Sequence, residues 1–106
     1  MFYRTATGTE PVREWLKRLP ETERHAIGLD LMRVQFRWPI GMPLCRPMGN
    51  GLWEMRTDLP TQRIARVFFH LHDDKLVVVH AMVKKTRKTP TPDLTLARKR
   101  MKDVMR

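Results

Sequence analysis

Cysteine is nearly absent from this chain: Cys45 stands alone among 106 residues. A single thiol excludes an intramolecular disulfide framework and gives no zinc-site spacing. Long apolar runs are missing too, since none approaches the ~18 residues that a membrane-spanning helix needs. Met1-Phe2-Tyr3-Arg4 has neither the basic nor the apolar region of a secretory signal. The expected location is therefore the cytoplasm, with no membrane partner. No GxSxG, HExxH or phosphate-cradling glycine loop occurs, so those nucleophile, metalloprotease and nucleotide-binding signatures are excluded. Negative charge is scarce as well, with 11 Asp and Glu against 21 Lys and Arg for a net charge of +10.

What is present is cation, unevenly placed. Residues 84–106 carry nine Lys/Arg against two Asp, a balance of +7, whereas residues 1–83 carry twelve against nine, a balance of +3. Such asymmetry favours a nucleic acid or an acidic protein as partner; the plainer reading is a solvated basic tail. A hydrophobic fraction of 42% over 106 residues is consistent with one folded domain spanning 1–106.

Phe2 to Thr5 can form a short first strand. Thr9 then reads as the cap of a helix with Pro11 near its start, and Val12, Trp15, Leu16 and Leu19 fall on one face before Pro20 stops it. A second helix is predicted from about Glu21-Thr22 to Trp38, with Ile27, Leu31, Val34 and Trp38 at helical spacing and Pro39 and Gly41 beyond its end. Leu52 to Thr57, Arg63 to Leu71 and Lys75 to Val83 read as strands, separated by turn-like Asp58-Leu59-Pro60-Thr61 and His72-Asp73-Asp74. Links this short favour antiparallel pairing. Thr91-Pro92-Asp93 opens a last helix with Leu94, Ala97, Met101 and Val104 on one face and Arg98, Lys99, Arg100, Lys102 and Arg106 on the rest. The expected fold class is α+β: two N-terminal helices and a C-terminal helix packed on one side of a mostly antiparallel sheet.

Period-two counting places Trp53 and Met55 on one face of their strand and Glu54 and Arg56 on the other. Trp53 reads as core, with base stacking as its alternative role. Arg66 shares a face with Ile64 and Phe68, where a guanidinium is costly unless it reaches water or meets an anion. Two readings stay open: an ion pair with Glu54, or a pre-positioned clamp whose fork matches phosphate oxygens. The last strand ends in Lys84-Lys85-Thr86-Arg87-Lys88-Thr89-Pro90. Lys84 and Lys85 alternate in direction, and clustering of like charges can lower a lysine pKa toward that of a usable base. Arg63, Arg87 and Lys88 read as contacts to a nucleic-acid backbone. His80 is either a packed side chain or an acid–base group. His70 and His72 have one-residue spacing but no carboxylate or thiol to complete a metal set, so neither a metal nor a cofactor is expected. Cys45 has no nearby partner and reads as inert.

Gly51-Leu52-Trp53-Glu54-Met55-Arg56, then Arg66 with Phe69, then Val83-Lys84-Lys85-Thr86-Arg87-Lys88-Thr89-Pro90 and the acidic-then-basic run Asp93 to Arg100 together resemble the RelE/HigB superfamily of toxin–antitoxin toxins, in particular its phage-derived HigB-like branch. The resemblance implies a RelE-like fold and a type II toxin, an mRNA interferase that cuts messenger RNA, usually on the translating ribosome. It also implies silencing by a cognate helix–turn–helix antitoxin encoded nearby. By that resemblance Arg66 and Lys85 map onto the residues acting at the scissile phosphate, with Arg56 as a second clamp and Lys84 as the alternative proton-transfer group. Two departures stand out: Glu54 occupies the position of a strand lysine, and no Tyr, Phe or Trp follows Lys84 to stack a base. The implied chemistry is metal-independent transesterification by the ribose 2′-OH. The alternatives are a non-catalytic basic module that binds RNA or the ribosome, and a DNA-binding regulator, for which no helix–turn–helix pattern is visible.

Overall fold

A computed structural model of the chain describes residues 1–84 and 90–105. The described elements are α1 (Pro11–Lys17), α2 (Glu21–Arg37), β1 (Cys45–Gly49), β2 (Leu52–Asp58), β3 (Ile64–His72), β4 (Lys75–Lys84) and α3 (Thr91–Met105). The expected α+β class holds. The strands form one antiparallel sheet in the order β1-β2-β3-β4.

Local chemistry explains most boundaries. Asp73 and Asp74 both take positive φ, 51° and 63°, between the paired His72 and Lys75. That is a two-residue hairpin of the kind whose twist matches the strands, and Asp tolerates the left-handed region better than most residues. Trp38 is extended at the end of α2, as the following Pro39 requires. The cap expected from Thr9 is not formed: α1 starts at Pro11 with Glu10 as its N-cap and no side-chain cap bond. Thr9 instead donates its backbone N–H to the Thr5 hydroxyl at 3.1 Å, closing a turn before the helix. The first strand shrinks to a single parallel bridge between Phe2 and Val78, supported by Tyr3 N–H to the Val78 carbonyl at 2.7 Å.

The layering differs from the one-sided expectation. Val12, Ile27 and Val34 of α1 and α2 pack on Met55, Val67, Phe69 and Ala81. On the opposite face, Ala97 and Met101 of α3 pack on Leu52, Phe68, Val79 and Met82. Two apolar faces demand two helical layers. A bulge in β4 makes this possible: Phe69 pairs with Val78 but Phe68 pairs with His80, leaving Val79 as the extra residue. Beyond that point His80 and Met82 lie on the α3 side of the sheet, whereas strict alternation from Val77 and Val79 would have sent them to the other.

α3 is fastened by its own cations. Arg98 donates to the Met48 carbonyl at 2.5 Å and the Gly49 carbonyl at 3.0 Å, Arg100 donates to the Val79 carbonyl at 3.0 Å, and the Tyr3 hydroxyl bonds Asp103 at 3.1 Å. Two of the cations read as lying away from the apolar face of this helix are therefore bound to backbone. No helix among the described residues is long and apolar enough to cross a membrane.

Candidate functional site

α3 covers only part of its sheet face, and the neighbouring part is built from charge. Arg66, on the internal strand β3, has no solvent exposure at all. Register places Arg56 directly opposite it on β2 and Met82 opposite it on β4. Two residues along β2, Glu54 is also fully buried and faces Phe68 on one side and Arg46 of β1 on the other. Arg46, Glu54, Arg56 and Arg66 thus form one patch on three adjacent strands.

Within it, Arg56 donates from Nε to the Glu54 carboxylate at 2.6 Å. Burial lowers the pKa of Arg66 from the usual arginine value; Arg56 and Arg46 push the same way and Glu54 opposes them. Like charges directly opposite one another across a sheet are destabilising, so the Arg56–Arg66 pair is electrostatically unfavourable where it stands. Three guanidiniums gather around one carboxylate here, with Arg66 and Glu54 fully buried and Arg46 and Arg56 partly exposed. An anion arriving there would be held by forks whose geometry suits phosphate oxygens. Glu54, expected as an ion-pair partner of Arg66, acts on Arg66 electrostatically, and the 2.6 Å contact is made by Arg56.

The other expected site residues fall in several places. Lys84 ends β4 with its backbone opposite Ile64, two positions beyond the Met82–Arg66 pair. Its side chain, and Lys85, Arg87 and Lys88 altogether, lie outside the described residues. Arg63 is directed to the helical face opposite the patch, where it pairs with the buried Glu23 of α2. His80 shares the face of Arg66 in register; its Nε2 lies 2.8 Å from the Asp93 carboxylate of α3 and its ring stacks on Phe68 with centroids 5.9 Å apart. A carboxylate fixing an imidazole can serve a proton transfer, and here it also ties β4 to the first turn of α3.

Trp53 sits on the α2 side, edge-on to Trp38 at 4.8 Å, which is a packing role. Burial pushes the Cys45 thiol up to about 11, so it stays a thiol at neutral pH. Burial also lowers the pKa of His70, with His72 adding to the effect.

Sequence reasoning missed Arg46 because β1 was missed. Cys45-Arg46-Pro47-Met48-Gly49 lacks branched residues and contains a proline, which strands tolerate only at an edge, where β1 lies. The signal that could have found it is Asn50-Gly51 immediately before Leu52, a hairpin dipeptide. Asp93 was read only as part of a helix start, although a carboxylate there can reach back to the strand before it.

Among known families, the model described as Phage derived protein Gp49-like (DUF891) matches residues 14–102. No curated protein matches the chain.

Proposed function

Because the chain belongs to the phage-derived Gp49-like family, we propose that it is the toxin of a type II toxin–antitoxin system of HigB-like kind, acting as an endoribonuclease on messenger RNA. The family is associated with toxin–antitoxin toxins. The observation that carries the enzymatic reading is the buried Arg66 facing Arg56, with Arg46 alongside, a cationic patch that suits a phosphate.

In this reading the partly exposed Arg56, and Arg66 once its present cover moves aside, grip the non-bridging oxygens of one RNA phosphate. The 2′-OH loses its proton to a base, with Lys84 or Lys85 at the end of β4 as the candidates and His80, held by Asp93, as the other acid–base group. The 2′-oxygen bonds to phosphorus, the bond to the 5′-oxygen breaks, and that oxygen takes up a proton. The products are a 2′,3′-cyclic phosphate and a 5′-hydroxyl. Cationic forks aimed at the equatorial oxygens favour the crowded, more negative intermediate over the ground state. Arg87 and Lys88 would contact the RNA backbone, the ribosome would present the substrate, and a small helix–turn–helix antitoxin would silence the chain.

The test is cleavage in a translating extract of a message carrying 2′-deoxyribose at one mapped scissile nucleotide. We expect cutting of the all-ribose message, loss of that one cut in the substituted message, and cyclic or 3′-phosphate ends. Equal cleavage of both would refute the 2′-OH mechanism. No cleavage, with tight RNA or ribosome binding retained, would favour the non-catalytic binding module.

A further inference from the structure

The arginine patch continues into a groove of about 630 Å³, within the ~300–1,000 Å³ typical of small-molecule sites. Arg46 and Arg56 belong to both. Ile40, Met42 and Ile64 supply apolar wall, and the exposed Asp58 stands on the rim. Met42 is 71% exposed, so its thioether covers little of the protein's own core. The far wall carries an ion pair, with Asp30 accepting from the Thr57 hydroxyl at 2.8 Å and from Arg33 at 3.2 Å. That wall is already satisfied, whereas Asp58 and Met42 face outward.

We infer that this groove seats a nucleobase next to the phosphate gripped by the arginines, and that it selects bases bearing an amino group over uracil. The inference rests on the endoribonuclease reading and names its base subsite. A nucleotide joined to the held phosphate places its base within a few bonds of it, and the groove is contiguous with the patch through Arg46 and Arg56. Single-stranded RNA is recognised by splaying a base against apolar or guanidinium surfaces and bonding its polar edge. No aromatic residue follows Lys84, so a base-covering surface has to come from elsewhere in the fold. Ile40, Met42 and Ile64 provide one beside the cations. The Asp58 carboxylate offers acceptor oxygens only. It therefore favours the amino groups of guanine, adenine or cytosine, whereas the one base-edge donor of uracil, N3–H, lies between two carbonyl oxygens that the carboxylate repels.

The experiment titrates fluorescent, fully 2′-O-methylated tetranucleotides, differing at one base, into the whole chain and into Met42→Glu and Asp58→Asn, alongside mapping of cleavage sites in a transcript. Amino-bearing bases should bind more tightly than uracil. Met42→Glu should weaken binding about tenfold, the scale of losing one stacked base, with an unchanged melting temperature because Met42 is exposed. Asp58→Asn should level the base preference. Equal affinity for all four bases, with Met42→Glu binding like the parent chain, would overturn the inference. If the preference appears but no RNA is ever cut, the subsite stands and the endoribonuclease reading falls. If RNA is cut and both variants keep the parental cleavage pattern, the subsite falls alone. If Met42→Glu weakens only antitoxin binding, the groove docks protein and the subsite is wrong.

Discussion

Among the described residues two glutamates are wholly buried, and each meets arginine, yet the two places differ in kind. Glu23, in the first turn of α2, accepts from the Thr61 hydroxyl at 2.8 Å and from Arg63. One carboxylate meets one guanidinium, the charge closes on itself, and the result fastens α2 to the loop between β2 and β3. Glu54 meets Arg56 at 2.6 Å but lies among Arg46 and Arg66 as well. Here one carboxylate is shared among several guanidiniums. A buried ion pair by itself says little about function, because it can be neutral in effect or merely structural. Like charges placed opposite one another by strand register are the better sign of a site, since such a pairing is unfavourable to folding.

The comparison breaks most decisively at Arg66. Arg66→Ala should lower cleavage by about 10²–10³-fold, the usual effect of removing one donor to transition-state charge. RNA binding should fall much less, and Arg66→Lys should recover binding before rate because it keeps charge without the fork. Single-turnover cleavage beside filter binding on folded protein separates the two. Normal cutting by Arg66→Ala would remove Arg66 from the mechanism.

Next in size, Glu54→Gln should destabilise the fold by about 2–4 kcal/mol, because three neighbouring guanidiniums lose a buried counter-charge. Phosphate or RNA should restore much of that stability by binding only the folded state. Urea melts with and without phosphate measure both effects. Glu23→Gln should cost less, about 1–3 kcal/mol, because Arg63 is partly exposed and can turn to water. Phosphate should not rescue it. If both variants respond alike to phosphate, the contrast between the two glutamates is wrong.

The acid side of the stability curve sharpens the contrast further. Hydrogen bonds from Thr61 and then Arg63 hold the Glu23 carboxyl below its ordinary 4.5 despite burial. As pH falls the unfolded chain therefore takes up the proton first. The contribution of Glu23 is present above its unfolded pKa and is lost as pH descends through the lower folded value. Glu23→Gln should flatten the stability–pH slope in that acid range and leave it unchanged near neutrality. The smallest effect is expected for Arg87→Ala with Lys88→Ala, which should reduce the salt dependence of RNA binding by roughly one to two units of slope while leaving cleavage measurable.

Much of this was legible in the residues. Helical spacing of Ile27, Leu31, Val34 and Trp38 marked α2, and Asp73-Asp74 marked the turn between β3 and β4. The apolar runs around Arg66 and before Lys84 marked β3 and β4, and with them the cations worth testing. Local propensity and periodicity suffice for such elements because they depend on near neighbours. Arg46 was hidden because Pro47 disguised an edge strand. Arg63 looked like one more cation among several, and only the arrival of Glu23 from forty residues away shows it engaged in holding α2.

The sequence by itself determined the three helices and the strands β2, β3 and β4, the alternation of side chains along their regular stretches, and that the chain is strongly cationic. Tertiary structure alone decided the phase between strands. The bulge at Val79 turned His80 and Met82 toward Arg66, and the register set Arg56 opposite Arg66 and Arg46 opposite Glu54. A period of two is blind to such phase, because a one-residue slip preserves the pattern within a strand while exchanging its faces. Only the packing of α1 and α2 on one side and α3 on the other selects the phase, and with it the cations that come together.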